Sequence, residues 1–167
     1  HLQRIFHSPL FRVYTNEDVI GCELCGVLKN IIAIACGITR GLGFGDNFQA
    51  VLVSNAMQEI KIFLDEIYPK ENRDLNNSGY LGDLLVTAYS QFSRNRTFGN
   101  MIGRGYSVKS AQIEMNMIAE GYYAVRSIYL ISKQHHIKLP IIDAVYHIVY
   151  EKTNPLIEMN TLKGYLK

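Results

Sequence analysis

The sequence predicts an all-α domain with one short strand near its start. Three observations predict it. Apolar residues recur at three- and four-residue spacing in roughly seven to eight separate stretches, the period that gathers them on one face of a helix. Helix-opening residues precede most of those stretches, with Asp, Ser or Asn at the cap and Pro in a first turn. Only one run, Phe11-Arg12-Val13-Tyr14-Thr15, alternates and is rich in β-formers, and it reads as the strand.

The elements follow in order. Thr15-Asn16-Glu17-Asp18 is polar and suited to opening a helix. From about Val19 to Cys36 the pattern is helical, with Leu24, Leu28, Ile31, Ile32 and Ala35 on one side and the small residues Gly21, Cys25, Gly26, Ala33 and Gly37 opposite. A helix apolar nearly all round is a buried one, and small residues let neighbouring backbones come close. Gly41-Leu42-Gly43-Phe44-Gly45 is a turn, with Asp46 placed to cap the next helix. That helix runs to about Tyr68 with Val51, Leu52, Met57, Ile60 and Leu64 inward, and Pro69 ends it. The polar stretch 70–78 is a loop, and Gly82 to Tyr89 a short helix. Ser93 caps a helix to about Ile102, closed by Gly103-Arg104-Gly105, and Ser107 caps a segment through Met115. Ala119 to His135 is a long helix with Ala124, Ile128 and Ile131 inward. Pro140 starts the next, through Glu151, and Asn154-Pro155 opens the last, to about Leu166.

Composition narrows the function. A chain of 167 residues fits one domain, and this size buries roughly two-thirds of its unfolded surface without disulfide or metal staples. With 48% apolar and 19% charged residues it is not disordered, collagen-like or a coiled coil. Seventeen basic residues against fifteen acidic leave +2, which does not mark a nucleic-acid binder or a membrane-surface protein. The longest uninterrupted apolar run, 30–37, falls short of the ~20 residues that span a bilayer, so no membrane insertion is expected. Three cysteines, Cys22, Cys25 and Cys36, are an odd number and point to free thiols in a reducing cytoplasm.

Five motifs could carry chemistry. Gly41-x-Gly43-x-Gly45 follows a helix rather than a strand, so it reads as an interhelical turn. No Gly-x-Gly-x-x-Gly closes a strand, and no complete dinucleotide site is present. Cys22-x-x-Cys25 has no second ligand pair, so no metal site is expected and both cysteines read as packing. Lys29 stands on the apolar helix, where a lysine either reaches out to water or acts in proton transfer; its neighbours leave both readings open. Asp83 in Leu81-Gly82-Asp83-Leu84-Leu85 reads, by itself, as a helix cap. Ser93-Arg94-Asn95-Arg96 sets two guanidinium groups, a hydroxyl and an amide at a helix start, which suits a phosphate.

Taken together these blocks resemble the bacterial NAD(P)-dependent glycerol-3-phosphate dehydrogenases. The resemblance runs in order through Phe11–Asn16, Asp18–Gly21, Glu23-Leu24, Leu28-Lys29-Asn30-Ile31-Ile32-Ala33, Gly41–Asn47, Leu81–Leu84, Ser93–Gly99, Ala119-Glu120-Gly121 and Leu139-Pro140-Ile141. It departs at Cys22 and Cys25, at Ser54-Asn55-Ala56, across the loop 70–80 and after Gly121.

The resemblance implies the helical, C-terminal substrate domain of the 6-phosphogluconate dehydrogenase-like type over residues 17–167. Residues 1–16 would be left from the end of a nucleotide-binding domain that the chain does not contain. It implies interconversion of glycerol 3-phosphate and dihydroxyacetone phosphate by hydride transfer with NAD or NADP, feeding glycerophospholipid synthesis. Lys29 is then the catalytic residue. Lys29, Asp83, Ser93, Arg94 and Asn95 bind substrate, and Arg94, Ile118 and Glu120 touch the cofactor. A small-molecule substrate, a cytoplasmic location and a homodimer complete the expectation. Two other readings remain open: a non-enzymatic helical module that self-associates through 19–36, and another two-domain dehydrogenase of the same superfamily.

Overall fold

A computed structural model of the chain describes residues 2–115 and 117–167. The described residues form helices α1 (Leu2–Phe6), α2 (Val19–Gly41), α3 (Asp46–Ile67), α4 (Asp83–Tyr89), α5 (Arg94–Gly103), α6 (Val108–Glu114), α7 (Glu120–Gln134), α8 (Pro140–Val149) and α9 (Pro155–Leu162). A π-helical turn, Ser78–Gly82, leads directly into α4. No strand occurs among the described residues.

The strand expected over 11–15 is therefore a correction. A strand persists only where its N–H and C=O groups pair with a second one, and no described segment offers an edge. Phe11 and Tyr14 are instead largely exposed. Local bonds hold the segment: the Phe11 N–H donates to the Ser8 hydroxyl at 2.9 Å, and the Gln3 amide donates to the Val13 carbonyl at 2.8 Å.

α2 is the central element, packed against α5, α7, α4, α3 and α8. It outruns the predicted 19–36 because Ile38 and Thr39 are also buried. The Thr39 hydroxyl donates back to the Ala35 carbonyl and accepts from the Gln49 amide at 2.6 Å, so the polar end of the helix is satisfied internally. By length and composition α2 could cross a membrane, but the other helices enclose it continuously from Ile31 to Thr39.

In α3 the cap is Gly45, and Asp46 sits inside the first turn, where its carboxylate meets Arg40 at 3.2 Å. The inward face is Leu52, Val53, Ala56, Ile60, Phe63 and Leu64; Val51 turns outward. Ser93, Ser107 and Asn154 cap α5, α6 and α9 as expected. Val125 and Ile128 are the large buried apolar residues of α7, while Ala124 and Ile131 only flank the core.

The α2–α5 crossing is a contact of backbone on backbone. A Cβ added to Gly37 would lie 2.1 Å from the Arg96 carbonyl oxygen, and one added to Gly99 would lie 2.1 Å from that of Ile34. Gly103 meets Ile38 in the same way. Residues 34 and 38 thus face 99 and 103: the helices run parallel, and the register carried back one turn sets Asn30 opposite Asn95.

α3 and α8 are joined by a buried carboxylate. Glu59, 7% exposed, accepts the N–H groups of Ile141 (2.6 Å) and Ile142 (3.3 Å) at the open start of α8. Burial pushes its carboxyl up to about 8, against the downward pull of the two N–H donors.

Two predictions follow from this packing. Replacing Gly99 by Ala should cost about 3 kcal/mol, since neither backbone can yield, whereas Gly26→Ala, with open space around it, should gain about 0.5–1 kcal/mol; urea midpoints read both. For Glu59 the folded group binds its proton more tightly than the unfolded one, so stability is fullest below about pH 4.5 as far as this residue is concerned and falls as pH rises through about 8. Glu59→Gln should flatten that part of a melting-temperature profile.

Candidate active site

Lys29 projects from α2 in the third turn after the cap residue Asp18, on the side where α2 faces α4. Its Nζ donates to both oxygens of Asp83, each at 2.5 Å. The two side chains are 21% and 40% exposed, so the pair lies at the surface of the domain, within reach of solvent, rather than in the core. Asp83 is not the cap that its sequence setting suggests: the cap of α4 is Gly82, Asp83 is the first helical residue, and its carboxylate faces the lysine. Cys25, one turn before Lys29, packs beneath: burial pushes its thiol up to about 12, with the Asp83 charge adding to the rise and Lys29 opposing it. Burial does the same to Cys36. All three cysteines are unpaired with one another, and Cys22 accepts a bond from the Asn16 amide at 3.1 Å. They are packing residues.

The α2–α5 register brings the start of α5 to the same end of the molecule. The Ser93 hydroxyl accepts the Arg96 N–H at 3.3 Å and closes the helix. Asn95 is buried, and its carbonyl oxygen accepts the Gly121 N–H at 2.9 Å, which leaves its NH2 group for other partners. Gly121 in turn lies on the Asn30 backbone, where an added Cβ would be 2.7 Å from the carbonyl oxygen. Asn30, Asn95 and Gly121 therefore form a triangle one residue from Lys29. Arg94 is exposed and carries no ion pair among the described residues. Glu120 opens α7 and is exposed, and Ile118 is 65% exposed just before it.

Sequence reasoning missed what holds Asp83 in place. Asp18, 4% exposed, caps α2 by accepting the Gly21 N–H at 3.2 Å. Its other oxygen accepts from Arg73 Nε at 2.7 Å and from the Tyr80 hydroxyl. Arg73, only 3% exposed, also donates to the Tyr68 carbonyl at 2.6 Å. Burial pushes the Asp18 carboxyl up, yet the bonds from Tyr80 and Arg73 and the arginine charge together hold it below its ordinary value. This knot ties the loop 69–82 to the start of α2 and delivers the π-helical turn, and hence Asp83, to Lys29. No periodicity marks Arg73, which stands in a polar loop with nothing local to suggest burial.

An all-helical domain wrapped round one glycine-notched helix, with a Lys–Asp pair and an amide-and-arginine helix start at one end, is the helical C-terminal domain of the 6-phosphogluconate dehydrogenase-like type. Residues 18–160 match the family described as NAD-dependent glycerol-3-phosphate dehydrogenase C-terminus, and the chain belongs to that family. It is 45% identical over 151 residues to a glycerol-3-phosphate dehydrogenase [NAD(P)+] of Staphylococcus carnosus, covering 90% of this chain and 45% of that protein. It is 41% identical over 171 aligned positions to the Chlamydia caviae enzyme of the same name, covering 99% and 51%. The crystal structure of glycerol-3-phosphate dehydrogenase from Coxiella burnetii superposes with a TM-score of 0.89 at 36% identity, over 96% of this chain and 49% of that one. The Saccharomyces cerevisiae glycerol-3-phosphate dehydrogenase gives 0.86 at 27%, over 96% and 47%. The chain thus spans about half the length of the curated relatives it matches.

Removing the carboxylate from the knot should be costly. Asp18→Ala leaves the Arg73 guanidinium buried without its main partner and should destabilise the fold by ~3–5 kcal/mol. Denaturant unfolding measures it, and a loss below about 1 kcal/mol would mean that the knot holds nothing.

Proposed function

We propose that the chain is the substrate-binding half of an NAD(P)-dependent glycerol-3-phosphate dehydrogenase. It would act with a nucleotide-binding half to which residues 1–16 belong, and interconvert sn-glycerol 3-phosphate and dihydroxyacetone phosphate. The observation that carries this reading is the bond between the partly exposed Lys29 and Asp83, with the Asn95–Gly121 link packed on the next residue of α2, Asn30.

The roles follow from the groups. An ammonium carries three donors. With Asp83 accepting on one side, Lys29 is fixed in direction and has donor capacity left for a substrate oxygen. As a ketone is reduced, negative charge grows on that oxygen, and the Lys29 proton passes from Nζ to it; in the opposite direction Nζ takes the alcohol proton. Asp83 binds and orients the lysine and, on this reading, a substrate hydroxyl. Arg94, the Asn95 NH2 group and Ser93 hold the phosphate, whose remote binding energy aligns the reacting carbon.

The chain's own groups fit a nicotinamide nucleotide as rim contacts. Arg94, Ile118 and Glu120 are exposed at this end of the molecule, and Arg94 is an unspent cation. The nucleotide, when bound, supplies and accepts the hydride. The three residues would hold its near end while the other half of the protein carries the rest.

The free cysteines suit a cytoplasmic location, and the product suits supply to glycerophospholipid synthesis. A homodimer is the assembly that this reading carries. The self-associating module loses much of its basis, because α2 from Ile31 onward is spent inside the domain. Another dehydrogenase of the same superfamily remains the second reading; the unpaired Arg94 at the α5 start favours a phosphorylated substrate over a simple hydroxy acid.

Kinetics on the full-length protein test the assignment. Lys29→Ala should lower kcat for dihydroxyacetone phosphate by several orders of magnitude, with KM changed far less, while Arg94→Ala should chiefly raise KM. The 167-residue chain by itself should not oxidise NADH at all. An unchanged kcat in the Lys29 variant would remove that residue from the chemistry.

A further inference from the structure

A second concave surface lies along the opposite flank of α5. It is a cavity of about 500 Å3 that includes neither Lys29, Asp83, Arg94 nor Asn95. Arg96 and Asn100 line it from successive turns of α5 and Arg104 from the residue that caps its end, with Thr97 beside them. Arg40 enters from the end of α2, held there by the close crossing at which a Cβ on Gly41 would lie 2.4 Å from the Asn100 carbonyl oxygen. Gln91, from the loop before α5, completes the polar wall.

The charges do not balance. Three arginines line the cavity and no acidic residue does. The nearest relief is Asp46, 93% exposed, which pairs with Arg40 at 3.2 Å from outside. Arg96 and Arg104 have no ion pair among the described residues, and Arg96 Nε is shut away from water without a hydrogen-bond partner. Three positive groups less one negative leave two uncompensated charges, facing hydroxyl and amide donors. Like charges gathered in a concavity repel unless an anion bridges them, and guanidinium forks match phosphate oxygens two at a time.

We propose that this cavity is a second anion site, built for the phosphate dianion of a small ligand and separate from the Lys29–Asp83 pair. A phosphate seated there neutralises the two surplus charges and takes donors from Arg40, Arg96 and Arg104 at once. By drawing the Arg96 guanidinium toward the cavity it gives Nε an acceptor. Thr97, Asn100 and Gln91 supply the further donors that a phosphate, unlike chloride, can use. The site stands apart from the dehydrogenase reading, because nothing in it requires turnover.

The test is calorimetric titration of inorganic phosphate into the full-length protein carrying Arg94→Ala, which removes the cation proposed for the substrate phosphate. One phosphate should still bind, and adding Arg40→Ala and Arg104→Ala should weaken it at least tenfold. Both added residues are exposed at their helix ends, and circular dichroism checks the fold; should the triple variant unfold, Arg104→Gln in the Arg94→Ala background reads the same loss. Two results overturn the assignment: no phosphate bound by the Arg94→Ala protein, or an affinity that stays within twofold when Arg40 and Arg104 are removed.

Discussion

The approach of α2 to α5 governs the rest of the molecule. Where Gly37 and Gly99 meet, the helices touch through main chain, so their relative position cannot slide by even one side-chain layer. Interiors packed to crystal-like density transmit such a constraint over several turns. The lysine on α2 lies about two turns before that crossing and the amide at the start of α5 about one turn before it, yet they belong to rigidly joined elements. Catalytic geometry tolerates errors of only a fraction of an ångström. A contact that excludes even a methyl group is one way to hold that tolerance without placing any large residue near the substrate.

The same crossing has two flanks. On one, Asn95 reaches Gly121 and brings α7 against α2 beside the Lys29–Asp83 pair. On the other, Arg96, Asn100 and Arg104 face outward with Arg40. A single short helix of ten residues therefore sorts its cations by angle around its axis. The Ser-Arg-Asn-Arg block is contiguous in sequence, but its two arginines are divided between different surfaces.

The fold was legible where periodicity and caps speak for themselves. Ser93, Ser107 and Asn154 open the helices they were expected to open, and the small residue Gly37 sits where two backbones close on each other. The alternating run 11–15 misled because alternation records the pattern of a strand and says nothing of a partner to pair with. Asp46 misled by one position, since glycine can hold the extended backbone of a cap as well as aspartate can. Of the site, Lys29 was visible as a charge on an apolar helix. Its pairing with Asp83, 54 residues away, needs the loop 69–82 to fold back. Arg73, which makes it do so, is indistinguishable in sequence from the solvated residues around it.

Three buried polar groups in this domain occur at the joints. Asp18 with Arg73 and Tyr80 fixes the irregular connection after α3 to the start of α2. Glu59 fixes the start of α8 to the middle of α3. Asn95 fixes the start of α7 to α5. Apolar burial drives collapse but is indifferent to small rotations of one helix against another. A hydrogen bond to a backbone N–H at a helix start is directional, and leaving that N–H buried and unmet is costly. Each bond therefore selects one arrangement among several that apolar packing would accept, and two of the three, at Asp18 and Asn95, act on the segments that carry Asp83 and Glu120. Part of the polar interior thus bears on where Asp83 and Glu120 are placed, while the apolar interior supplies the stability that lets those joints persist.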